Sequence, residues 1–159
     1  IGFMQVMKDA GCLRQCMVWD KGQMVLGHSD YHYAHEPILY GWKPGSAHYF
    51  TNDRTKTTVF RYPKPSRSAD HPTMKPPELW GEMIDNSSLP GAVVLDLFGG
   101  SGTTMVVCEQ TGRSARLMEL SPVYCQVIVN RLLKVNGALQ VKVNGIDVTE
   151  RMKILSTED

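Results

Sequence analysis

The sequence predicts an α/β fold with a mostly parallel sheet and helices on both faces, and three observations carry that expectation. Val93-Val94-Leu95 is a short apolar run of the kind that fills a strand covered on both sides. It leads into Gly99-Gly100-Ser101-Gly102, three glycines in four residues, and then into Thr103–Gln110, which reads as a helix. The same order repeats with a strand at 116–120 and a helix from Ser121-Pro122 to about residue 136, so residues 92–136 form a parallel α/β unit.

The remaining elements follow from local signals. Phe3, Met4 and Met7 at helical spacing, with Gly11 beyond them, mark the end of a helix over 3–10. Residues 13–19 predict a strand, Asp20-Lys21-Gly22 a turn, and 37–42 a second strand with Pro37 at its first position. A short strand at 57–62 lies inside an irregular segment. Pro76-Pro77 opens a helix to about Asp85, with Leu79/Met83 and Trp80/Ile84 stacked at i, i+4, before Leu89-Pro90-Gly91 breaks it. Gly112 ends the helix after the glycine turn, and Ser121 caps the next one with Pro122 in its first turn. Asn144-Gly145 inside 139–148 is a type I′ hairpin signal.

At 159 residues the chain is sized for a single domain over 1–159. A hydrophobic fraction of 42% and a charged fraction of 21% argue against disorder and coiled coil. No apolar run approaches the ~20 residues of a membrane helix, so no membrane partner is expected. The first residues lack the features of a signal peptide. Cysteines at 12, 16, 108 and 125 are too scattered for a disulfide framework, which points to a cytoplasmic location. The chain starts at Ile1 in what reads as the middle of a helix, so it is expected to be a fragment, incomplete at its N-terminus.

Charge is uneven. Between 43 and 75 stand seven basic residues (Lys43, Arg54, Lys56, Arg61, Lys64, Arg67 and Lys75) against two acidic ones, Asp53 and Asp70. A basic, weakly periodic segment of this kind suits contact with phosphates, and a solvated loop is its plain alternative. Lys43, Arg54, Lys56, Arg61, Lys64 and Arg67, within 43–70, are the candidate nucleic-acid contacts.

Two ligands compete for the glycine turn. A dinucleotide fingerprint needs a third glycine where Met105 stands, and a phosphate loop needs a lysine that is missing. Glu119 ends the second strand of the unit, nineteen positions after Gly100, where a carboxylate can accept bonds from both ribose hydroxyls. The pocket therefore suits an adenosine-type ligand without a pyrophosphate. Cys12, Cys16, His28, His32 and His35 lack the spacing of a zinc knuckle, and no metal is expected. His28, Tyr31, His32 and Tyr33 are open to two readings, DNA contact or strand packing.

Asp96-Leu97-Phe98-Gly99-Gly100-Ser101-Gly102-Thr103 resembles the S-adenosylmethionine-binding motif, D-x-F-x-G-x-G, of amino-group DNA methyltransferases acting on adenine N6 or cytosine N4. His71-Pro72-Thr73-Met74-Lys75-Pro76 is similar to the H-P-T-x-K-P element that precedes it in the permuted, beta-type subgroup, and the segments from His35 to Trp42 and from Glu119 to Cys125 resemble further parts of the family. The resemblance spans roughly residues 1–136. It implies an S-adenosylmethionine-dependent, Rossmann-like methyltransferase fold and methylation of double-stranded DNA, as in restriction–modification. Asp96 and the amides of Gly99, Gly100, Ser101 and Gly102 would shape the floor under the cofactor's methionine, with Thr103 near its carboxylate. Glu119 would hold the ribose, Phe98 would pack beside the cofactor or in the core, and His71 and Lys75 would close the methionine side.

The family's catalytic motif, [DNS]-P-P-[YFW], is absent. Ser121-Pro122-Val123-Tyr124 lacks the second proline and is explained by helix capping, so no catalytic residue is assigned and the motif is expected upstream of Ile1. The alternatives are a catalytically inactive DNA-binding or regulatory module with this fold and, less favoured because of Met105, a nicotinamide-dependent Rossmann enzyme.

Overall fold

The computed structural model describes residues 2–64 and 75–157. The length and composition that lead to one domain correspond here to two compact units: 2–64 with Asn86–Ser88, and 75–85 with the residues from Leu89 onward.

The first unit opens with α1 (Gly2–Asp9), which stops at Gly11, in the left-handed region at φ +65°. A three-stranded sheet follows, with β1 (Leu13–Val25) between β2 (Tyr33–Gly41) and β3 (Val59–Arg61). β2 runs antiparallel to β1 and β3 parallel to it, so this sheet is mixed. The unit's core forms around Trp19 and Phe60, and Trp19 Nε1–H donates to the Tyr62 carbonyl at 2.7 Å.

Two sequence expectations change in this unit. The strand expected over 13–19 continues to Val25, and Asp20-Lys21-Gly22 is a kink within it rather than the reversal. Gly22 sits at φ +70° with its N–H on Asp20 Oδ1, and the ladder slips between Asp20 and Val25. The chain turns back only over 26–32. Pro37, expected to open β2, lies inside it opposite Val18; β2 is the outer strand, where a missing N–H leaves no ladder bond broken.

The second unit contains most of α2 (Pro77–Ser87), then β4 (Val93–Asp96), α3 (Thr103–Gln110), β5 (Ser114–Leu117) and α4 (Pro122–Val135). β4 and β5 pair in parallel, Val93 opposite Ser114 through Asp96 opposite Leu117. The second strand thus starts two residues and ends three residues before the predicted 116–120, which leaves Glu119 beyond its end. α3 packs on both strands and buries Thr103, Thr104, Val106, Val107 and Cys108, so it is covered nearly all round. Burial pushes the Cys108 thiol pKa up. α4 starts as expected, with Ser121 Oγ accepting the Tyr124 N–H and Pro122 in the first turn. Leu79, Val107, Ile128 and Leu133 complete the core.

The prediction of a strand covered on both sides needs correction. Val93 and Leu95 are 64% and 65% exposed, because among the described residues helices cover only one face of β4. The hairpin at Asn144-Gly145 forms with both residues at positive φ, 51° and 83°, as a type I′ turn requires, although β6 (Lys142–Val143) and β7 (Ile146–Asp147) are shorter than 139–148 suggested. α5 (Thr149–Thr157) follows the hairpin and packs on α4.

Candidate functional site

The glycine turn joins β4 to α3, and each side of it is held by a specific bond. Asp96, the last residue of β4, accepts the Phe98 N–H on Oδ1 at 3.0 Å and the Thr104 hydroxyl on Oδ2 at 2.6 Å. Thr104 Oγ1 in turn accepts Trp80 Nε1–H at 2.8 Å. The strand end, the first turn of α3 and α2 are thereby joined through one carboxylate. Both Asp96 oxygens face protein donors, so its contribution is to shape the turn.

The turn is closed by Gly102 N–H to the Gly99 carbonyl (2.8 Å) and pinned to the end of β5 by Gly99 N–H to the Met118 carbonyl (2.8 Å). Gly102 lies at φ +78°, and a Cβ there would come within 2.8 Å of Ile128 Cγ1, so α4 can approach the turn only because this residue has no side chain. Three residues along α4, Arg131 Nη1 donates to the Ser101 carbonyl (2.6 Å) and Oγ (3.0 Å). Ser101 is buried beneath it.

Glu119 meets the turn from just beyond β5. Its Oε2 accepts the Gly100 N–H at 2.7 Å and its Oε1 the Ser121 N–H at 2.9 Å. The carboxylate predicted to face a ribose thus stands beside the glycine turn. Thr103 is buried at the first position of α3, where the amides of the opening turn precede the first helical bond, Val106 N–H to the Gly102 carbonyl. Phe98 is 84% exposed, which removes the core reading of this ring. Lys75 is half-buried two residues before α2, and His71 lies outside the described residues.

The structure therefore assembles Asp96, Gly99, Gly100, Ser101, Gly102, Thr103 and Glu119 around one turn. Trp80, Thr104 and Arg131 were missed as parts of it. For Arg131 a signal existed, since it shares a helical face with Ile128 at i, i+3. For Trp80 and Thr104 none did.

The basic candidates are less concentrated. Lys56 pairs with Asp53 at 3.5 Å, and Arg61 approaches Asp20 at 4.0 Å. Lys43 and Arg54 are exposed, Lys64 is half-buried, and Arg67 lies outside the described residues. Tyr31, Tyr33, His28 and His32 are exposed around the tip of the β1–β2 hairpin rather than packed.

A parallel strand–glycine turn–helix with an acidic residue after the next strand is the nucleotide-cofactor arrangement of Rossmann-like α/β folds, those of S-adenosylmethionine-dependent methyltransferases among them. Residues 3–130 match the family model described as DNA methylase, N6_N4_Mtase, and the chain belongs to that family. It is 39% identical over 84 residues to the type II methyltransferase M.HpaI of Haemophilus parainfluenzae, covering 52% of this chain and 24% of that protein. With M.Cfr9I of Citrobacter freundii the identity is 45% over 83 residues, covering 52% and 27%. The chain thus spans about a quarter of the length of these curated relatives. Among solved structures, the M1.HpyAVI–SAM complex superposes with a TM-score of 0.69 at 25% identity, covering 80% of this chain and 66% of that one. The cytosine-N4-specific PvuII DNA methyltransferase superposes at 0.67 over 98% of this chain and 60% of that one, and its 16% identity speaks to the fold alone.

Proposed function

We propose that this chain carries the cofactor-holding part of a cytoplasmic DNA methyltransferase of the restriction–modification kind, acting on an exocyclic amino nitrogen of adenine or cytosine in double-stranded DNA. The observation that carries this reading is Glu119 hydrogen-bonded to Gly100 across the turn, with Met105 where a dinucleotide site needs glycine. An acid at that position suits ribose hydroxyls, and the turn leaves no pyrophosphate cradle.

S-adenosylmethionine, when bound, supplies an electrophilic methyl group on a sulfonium centre. The protein's share is to hold and orient. Glu119, beside the Gly100 and Ser121 amides, would accept from the ribose hydroxyls. The first-turn amides of α3, beginning at Thr103, would hold the methionine carboxylate, where the helix dipole favours an anion, with Lys75 as a cationic partner. Asp96 keeps the floor of Gly99 to Gly102 in shape, the exposed Phe98 ring would pack beside the cofactor, and His71 is read as closing the methionine side. The order is read as permuted, with the basic segment and His71-Pro72-Thr73-Met74-Lys75-Pro76 preceding the glycine turn; Lys43, Arg54, Lys56, Arg61, Lys64 and Arg67 are read as DNA contacts.

A second reading is a binding module with this fold and no catalysis. Ultraviolet crosslinking of methyl-labelled S-adenosylmethionine tests the part common to both. Labelling competed by unlabelled S-adenosylmethionine and not by NAD is expected, and competition by NAD would favour the nicotinamide alternative. A methyl-transfer assay on duplex DNA with the whole protein then separates enzyme from module.

A further inference from the structure

A second concave site lies wholly within the first unit, a cleft of about 480 Å³, inside the size range of small-molecule and cofactor pockets. Its construction begins at the end of β2. Gly41 runs so close to Cys12 that a Cβ would strike the Cys12 carbonyl, and the next residue, Trp42, donates its N–H to that same carbonyl at 3.1 Å. The indole is thus set by the backbone of two elements. His48 stacks on it with ring centroids 3.6 Å apart and planes 15° from parallel, and Tyr40 meets it edge-on at 5.7 Å. Phe50, 41% exposed, adds another ring to the lining.

The polar part of the lining is cationic. Arg14 stands over the Trp42 ring, its guanidinium carbon 5.0 Å from the centroid. Nη1 of Arg14 is committed to the Gly11 and Leu13 carbonyls, at 2.7 and 3.2 Å, which fixes the fork and leaves Nε and Nη2 as donors among the described residues. Arg54 is exposed at the rim and makes no ion pair among the described residues, unlike Lys56 and Arg61. Gln15 and Asn52 contribute side-chain amides, and no carboxylate lines the cleft among the described residues. Rings that can stack, amides that can read a polar edge and two guanidiniums without an ion pair among the described residues match the three parts of a nucleotide.

We propose that this cleft binds one unstacked nucleotide of a DNA strand, with its base against His48 and Phe50 and its phosphate on Arg14 and Arg54. The proposal rests on the DNA-methyltransferase reading and sharpens it. Within the basic segment, the base-contacting part is the aromatic cleft at its start, whereas the paired Lys56 and Arg61 add only diffuse charge.

The test is fluorescence anisotropy of the full chain with two labelled duplexes, one fully paired and one carrying a single unpaired nucleotide, at several salt concentrations. The parent is expected to favour the second duplex. Phe50→Ala and His48→Ala are each expected to reduce that preference about tenfold, the scale of one lost base–aromatic stack. Arg54→Ala should weaken both duplexes alike and make the salt dependence shallower by about one phosphate contact. S-adenosylmethionine binding and circular dichroism should stay unchanged in all three. If the parent binds both duplexes equally, or if Phe50→Ala and His48→Ala keep its preference, the cleft proposal fails while DNA binding stands. If the parent binds S-adenosylmethionine but neither duplex, the DNA reading fails and the cleft proposal with it.

Discussion

Glu119 Oε2 accepts the Gly100 N–H at 2.7 Å while Oε1 accepts the Ser121 N–H at 2.9 Å, so one carboxylate ties the glycine turn to the start of α4. Charge-assisted bonds of this kind are stronger than neutral ones. Glu119→Ala removes both acceptors from part-buried amides and is expected to lower unfolding stability by about 1–3 kcal/mol, with Glu119→Gln, which keeps one acceptor, costing less. Urea unfolding followed by circular dichroism measures the order of the three proteins. An alanine variant as stable as the parent would contradict the tie.

Gly102→Ala carries two separable penalties. One is the positive φ of 78°, and the other is the approach of a Cβ to within 2.8 Å of Ile128. Together they are expected to cost about 2–4 kcal/mol. Ile128→Ala relieves only the steric part, so the double variant should lose less stability than the two single losses combined. Strict additivity would show that Ile128 is not what requires a glycine there.

Thr104 links Trp80 to Asp96 by accepting from one and donating to the other. Thr104→Val keeps the shape and removes both bonds, leaving a half-buried indole N–H and a carboxylate oxygen short of a partner. A loss of about 1–3 kcal/mol is expected. In a background where Trp80→Phe has already removed the donor, the same change should cost less, which a double-mutant cycle reads directly.

These three links also show which features could be read from the sequence. Gly99 to Gly102, the Ser121-Pro122 start, Gly112 and Asn144-Gly145 are local signals, because each residue type answers a backbone requirement that only it meets well. The length of β1 was hidden because Asp20-Lys21-Gly22 carries the chemistry of a turn, and pairing with β2 and β3 decides that the strand resumes. Exposure of Val93 and Leu95 was equally hidden, since an apolar run says that a face wants cover and not which element supplies it. Trp80 reaches Thr104 from 24 positions away and Arg131 reaches Ser101 from 30, and such separations leave the contacting pair unmarked in the sequence even where, as at Arg131, the helical face is legible. α5 has few apolar residues on a regular stripe, and it is fixed largely by packing on α4 and by Asp147 at its start.

That start provides a pH test. Asp147 Oδ1 accepts the Thr149 N–H (2.9 Å) and hydroxyl (2.6 Å), and Oδ2 accepts from Gln140 (2.6 Å). The Thr149 side-chain bond first, then its backbone bond and Gln140, hold the Asp147 pKa below its ordinary 3.8. A depressed folded pKa contributes stability that is present above 3.8 and lost as pH falls through the lower folded value. Helical signal from α5 should therefore decline below about pH 4, and Asp147→Asn should remove that part of the acid dependence. An identical acid profile in the variant would assign the loss to other carboxylates.

Calorimetric titration of the chain reads whether the glycine turn and Glu119 hold S-adenosylmethionine. One site for S-adenosylmethionine, no heat with NAD, and an affinity at least about tenfold weaker in Glu119→Ala and in Glu119→Gln are expected, at a temperature where all three proteins are folded. Unchanged affinity in both variants, or binding of NAD in place of S-adenosylmethionine, would contradict it.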